Sequence, residues 1–170
     1  MKRWWLIWLL GIGLAVADAP PGYNVHPVVQ RADGTLWRGG APRQDTLQAL
    51  HRTGHKVTLI DLRHPANTDD KSGKEGRLSP QDEARLSRQL GFRYVSISAL
   101  DKNLPVVMDQ ALSRGDVYIH CMYGANRTGF AVGRYATADK VDVPRDGLGT
   151  RDWNEGTDFQ QRLERPQDRQ

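Results

Sequence analysis

A single cysteine in 170 residues excludes an internal disulfide, and with it the cross-linked scaffold common among small exported domains. The chain also lacks the run of about 20 apolar residues that a membrane-crossing helix needs. Its N-terminal apolar stretch, Trp4 to Leu14, is short and is diluted by Gly11 and Gly13. No basic run is interleaved with aromatics, so nothing points to nucleic acid as a partner. No internal repeat is present, which removes solenoid architectures. Metal-ligand spacing is missing as well. His51 and His55 are separated by the helix breaker Gly54, and His64 stands alone beside Pro65. No metal and no other cofactor is expected.

Against these absences stands a length that suits one domain with a real core. Residues 1–19 read as a secretory leader. Lys2 and Arg3 open it, the apolar stretch follows, and Ala15-Val16-Ala17 and Ala17-Asp18-Ala19 offer small-x-small cleavage sites. Export, most simply to a bacterial periplasm, is the expectation; an uncleaved leader would instead anchor the chain facing that space. Loss of Lys2, Arg3 and Asp18 with the leader lowers the net charge from +4 to +3. That excess suits an anionic substrate. A lone thiol in an oxidising compartment is a liability unless it is used, which draws attention to Cys121.

Cys121 lies in His120-Cys121-Met122-Tyr123-Gly124-Ala125-Asn126-Arg127-Thr128-Gly129. The apolar run Val117-Tyr118-Ile119 precedes it, and Phe130 to Tyr135 follow with helical character. A buried strand, a glycine-bearing loop and a helix start together make an anion site, because successive N–H groups converge and the helix dipole favours negative charge. A cysteine there is expected to ionise at neutral pH. The Arg127 guanidinium can grip a tetrahedral oxyanion with two parallel hydrogen bonds. The N–H groups of Met122, Tyr123, Gly124, Ala125, Asn126 and Arg127 are the expected phosphate cradle. Thr128 is placed to donate to the cysteine sulfur, and His120 and Gly129 to order the loop. The chemistry this predicts is phosphoryl transfer through a covalent cysteine intermediate.

The string resembles the signature of the cysteine-dependent protein tyrosine phosphatases: His-Cys, five residues, Arg, a hydroxyl residue and Gly. Upstream, Leu36-Trp37-Arg38-Gly39-Gly40-Ala41-Pro42, Thr46 to Leu50, Val57 to Arg63 and Phe92 to Ser98 are similar to the atypical dual-specificity branch, with bacterial periplasmic tyrosine phosphatases nearest. The resemblance runs from about Leu36 to about Tyr135. It implies a phosphorylated protein or a small phosphate as substrate. It also implies an aspartate general acid on the loop after the strand preceding the signature. Asp101 fits, with Asp109 as the competitor. Arg38 and Arg63 either brace the loop or sheet, as their counterparts do, or form surface ion pairs.

An edge strand is predicted from Val25 to Gln30, with a turn at Arg31–Thr35. Asp45 is predicted to cap a helix reaching Arg52, and Gly54 to end it. Lys56 to Arg63 is the next strand. Ser79 and Pro80 open a helix to Leu90, a strand follows from Phe92, a short helix runs from Pro105 to Leu112, and the signature strand comes last. Strands alternating with helices give an α/β fold, a mainly parallel sheet covered on both faces. The domain is placed at residues 20–135. Residues 136–170 form a polar tail in which the family's closing helices are not visible. A shifted reading frame after about Tyr135 would produce such a tail. An incomplete C-terminal core also leaves a second reading open, a catalytically impaired module that binds phosphorylated ligands. Arsenate reductase chemistry is disfavoured, because it needs further thiols.

Overall fold

The computed structural model describes residues 19–63 and 74–139. The expected leader, apart from Ala19, and the polar tail beyond the last helix lie outside the described residues. So does His64.

The turn at Ala32-Asp33 folds two extended segments into an antiparallel hairpin, β1 (His26–Arg31) and β2 (Gly34–Gly39). The remaining strands are parallel to β2: β3 (Val57–Asp61), β4 (Arg93–Ser96) and β5 (Asp116–His120). Their order across the sheet is β1-β2-β5-β3-β4. The signature strand β5 is therefore central, and every one of its residues is buried.

Helices make the crossovers. Helix α1 (Gln44–Arg52) links β2 to β3 and α2 (Pro80–Gln89) links β3 to β4. The chain then reverses through α3 (Leu104–Leu112) into β5 and leaves it in α4 (Asn126–Asp139). Right-handed crossovers place helices on one face while strands are added in one direction, and on the other face after the reversal. The core divides accordingly. Leu47 and Leu50 of α1 and Leu86 of α2 pack with Trp37, Leu59 and Tyr118 on one side. Met108 and Leu112 of α3 and Ala131, Val132 and Tyr135 of α4 pack with Leu36, Ile60 and Ile119 on the other. Strand alternation sends Tyr118 to the first cluster and Ile119 and Cys121 to the second.

The expected elements form, with shifted ends. Ser79 caps α2, its hydroxyl accepting from the Asp82 N–H at 3.1 Å, with Pro80 in the first turn. Asp45 does not cap α1. The cap position is Arg43, and the Asp45 carboxylate accepts from the neighbouring Thr46 N–H inside the first turn. Helix α4 begins at Asn126, within the signature, rather than after Gly129.

Candidate active site

The loop leaves the carboxyl end of the central strand, where ligands bind in open α/β sheets. Its shape is imposed by close backbone contacts. Gly124 has φ 70°, and a Cβ there would lie 2.4 Å from the Gly39 carbonyl carbon, so only glycine fits. The Gly124 carbonyl accepts from the buried Arg38 guanidinium and from Asn24 Nδ2 at 3.2 Å. The Met122 carbonyl accepts from the Ala41 N–H at 3.0 Å. Carbonyls thus point away from the loop centre into protein donors.

Cys121 is buried at this centre. Burial pushes its thiol pKa up. The Arg127 guanidinium, the Thr128 hydroxyl and the N–H groups of Thr128 and Tyr123 outweigh burial and hold it below the ordinary value. The early start of α4 explains part of this, since Arg127 and Thr128 now sit in the first turn, where N–H groups lack intrahelical partners. Among the described residues the buried Thr128 hydroxyl meets no oxygen or nitrogen acceptor, and its influence falls on the sulfur. Arg127 is half-buried and donates to the Leu62 carbonyl at 3.3 Å. Tyr123 is exposed, and Ala125 and Asn126 are half-buried along the loop's open side.

Beneath the loop lies a buried charged network. His120 Nε2 bonds Glu83 Oε1 at 2.8 Å, and its Nδ1 lies 3.3 Å from the Cys121 carbonyl. Arg63 bonds both carboxylate oxygens of Asp61, reaches Glu83, and donates to the Leu78 carbonyl. The Tyr94 hydroxyl completes Asp61 at 2.7 Å. Two acids face two bases, so the cluster is charge-balanced. Burial raises the Asp61 pKa, but His120, Arg63 and Tyr94 together hold it below the usual carboxylate range. Glu83 is raised by burial. Burial lowers His120, but Glu83 and Asp61 bring it above its ordinary value. The choice left open for Arg38 and Arg63 is settled: both brace from within and neither forms a surface pair. The sequence reading found no converging ligand set, yet Asp61, Glu83 and His120 place ligand atoms within 4.8 Å of one another. The Arg63 guanidinium already supplies the cation between the two acids.

No protein-family model matches the chain, and no curated protein matches it in sequence. Solved structures do match. A DUF442 protein from Shewanella putrefaciens, described as a candidate phosphatase, superimposes with a TM-score of 0.55 at 20% identity, covering 79% of this chain and 82% of that one. The catalytic core of the yeast PP-IP phosphatase Siw14 gives 0.52 at 20% identity over 89% and 84%. Pseudomonas aeruginosa TpbA gives 0.50 at 20% identity over 85% and 89%. This is a phosphatase fold.

Within that fold, Asp101 lies in the loop between β4 and α3, half-buried. Its carboxylate accepts from the Asn103 N–H at 2.8 Å. Its backbone is tethered from α4: Arg134 Nη1 donates to the carbonyls of Ala99 and Asp101 at 2.8 and 3.0 Å. Asp109 is engaged elsewhere, by Arg31 at 2.8 Å and the Tyr135 hydroxyl at 3.4 Å. His55 pairs with Asp116 at 3.2 Å, and His51 packs on Phe92. Sequence reasoning missed Glu83, Asp61 and Arg134. For Glu83 a signal existed. It shares helical spacing with Leu86 and Leu90, so an acid stood on the inward face of α2.

Proposed function

We propose that the chain is an exported phosphatase that hydrolyses phosphotyrosine monoesters, with phosphoserine and phosphothreonine as further substrates, through a cysteinyl-phosphate. One observation carries this reading. The only cysteine sits buried at the carboxyl end of the central strand, its pKa held down by Arg127 and by N–H groups of the loop and the first turn of α4.

The Cys121 thiolate attacks phosphorus opposite the ester oxygen. The S–P bond forms as the P–O bond breaks, and Asp101 gives its proton to the departing oxygen. The loop N–H groups and Arg127 hold the three equatorial oxygens, where charge is greatest. Water then attacks phosphorus, its proton goes to the Asp101 carboxylate, and the thiolate leaves, stabilised by Thr128. The exposed Tyr123 at the rim supplies an aromatic surface suited to a phenyl ester. Every group in this scheme belongs to the chain.

The test is hydrolysis of p-nitrophenyl phosphate, with and without chelator, by the chain from Pro20 onward beside its Cys121→Ser variant. Turnover in the first and none in the second is expected. Equal turnover in both would remove the covalent mechanism. Absence of turnover in a folded sample would remove the enzyme reading. Export is checked separately by fractionation of cells expressing the full chain.

A further inference from the structure

Beside the loop lies an arginine that the scheme above does not use. Arg77 follows a short 3-10 turn, Lys74–Gly76, and is buried despite its charge. Its guanidinium lies over the rings of Tyr23 and Tyr123, 5.1 and 5.0 Å from their centroids. The rings meet edge to face at 76°. Tyr123 belongs to the catalytic loop, and the Tyr23 carbonyl accepts from Gly40, whose neighbour Ala41 bonds Met122. The guanidinium is therefore built into the rim of the site. Rings cover its faces, which leaves its edge for polar partners. Along that edge Nη2 holds Glu75 at 2.8 Å, while the buried Nη1 meets no acceptor among the described residues.

Glu75 is an unusual partner. Its side chain is 72% exposed against 5% for Arg77, so the pair is weakly held. Its backbone is left-handed at φ 57°, a conformation a glutamate adopts at a cost. A monovalent, solvated carboxylate thus sits on one nitrogen of a two-nitrogen fork. A phosphate carries more charge and matches both nitrogens.

We propose that Arg77 forms a second anion subsite at the rim of the catalytic loop, that it takes a second phosphate group on the substrate, and that Glu75 occupies it until that group arrives. The proposal rests on the phosphatase reading and narrows it to substrates bearing two phosphates near one another.

The experiment measures competition against p-nitrophenyl phosphate by alkanediol bisphosphates of increasing length and by the matching monophosphates. One bisphosphate length is expected to compete at least about tenfold better than its monophosphate. Arg77→Ala should remove that preference while monophosphate competition and p-nitrophenyl phosphate turnover stay within about twofold. Arg77→Lys, which keeps the charge without the fork, should lose most of it. Glu75→Gln should tighten bisphosphate competition about threefold or more and leave the monophosphate unchanged. Equal loss of both ligand types in the Arg77 variants would overturn the subsite, because Arg77 would then only support the loop. Unchanged bisphosphate competition in Glu75→Gln would overturn the role of Glu75. Calorimetry on Cys121→Ser reads the same preference without turnover; a parent chain that prefers bisphosphates by calorimetry but hydrolyses no p-nitrophenyl phosphate would sink the phosphatase reading and keep the subsite. A peptide carrying phosphotyrosine beside a phosphothreonine, run in parallel, tells whether the second phosphate belongs to a protein or a small molecule.

Discussion

At the scale of single residues, the lowered Cys121 pKa has a direct signature. The thiolate persists below the pH at which a free thiol protonates, so alkylation by iodoacetamide should stay fast as pH falls below the ordinary thiol range. A rate that rose only near the ordinary thiol range would contradict the electrostatics drawn from Arg127 and Thr128. Arg127→Lys should cost roughly 10²–10³ in kcat, since a point charge replaces a fork that meets two oxygens. Asp101→Ala should cost about 10²–10⁴ with alkyl phosphates and much less with p-nitrophenyl phosphate, whose leaving group needs no proton. Equal losses on both would exclude Asp101 as the acid. The convergence of Cys121, Arg127 and Thr128 on one loop was legible in the sequence because the signature packs several uncommon residues at fixed spacing. Arg77 was not legible, because its meaning comes from Tyr23 and Tyr123, which lie 54 and 46 residues away.

Between elements, Arg134 and Glu83 are among the side chains that do the joining. Arg134 of α4 holds the Asp101 loop by two carbonyls. Arg134→Ala should lower stability by about 1–2 kcal/mol. It should also reduce kcat on poor leaving groups more than on good ones, because Asp101, the proposed acid, would lose its position before Cys121 does. Stability by denaturant and a leaving-group series measure the two parts. Glu83 of α2 holds His120 from beneath. Element types and order were readable from capping residues, glycine stops and apolar spacing. The start of α4 was not, because Asn126 to Gly129 carry no capping pattern and the helix begins there to aim its first N–H groups at the sulfur. The inward role of α2 was carried only by the helical spacing of Glu83 with Leu86 and Leu90, because its buried residues, Glu83 and Ser87, are polar.

For the molecule as a whole, the buried quartet links stability to pH from both sides. The Asp61 pKa is lowered from 3.8, so its contribution is present above that value and is lost as pH falls through the folded pKa. The His120 pKa is raised from 6.5, so its contribution is complete below that value and is lost as pH rises through the folded pKa. Glu83, raised from 4.5, also gives up stability as pH climbs. Thermal melts should therefore peak between these limits and fall in acid and in alkali. Glu83→Gln should lower the peak and flatten the alkaline side, since His120 then lacks the carboxylate that keeps its proton. A Glu83→Gln alkaline limb as steep as that of the parent chain would count against the pairing.

The same quartet constrains how this chain can diverge. Asp61 at the end of β3 with Arg63 just after it, Glu83 of α2 and His120 of β5 lie far apart in sequence, yet each cancels a neighbour's charge where water cannot. Replacing one leaves a bare charge in the interior, which costs roughly 3–5 kcal/mol; replacing a matched pair with apolar groups of similar volume does not. Descendants of this sequence should therefore change these positions in pairs or not at all, and an alignment deep enough to resolve co-variation would find β3, α2 and the signature histidine moving together.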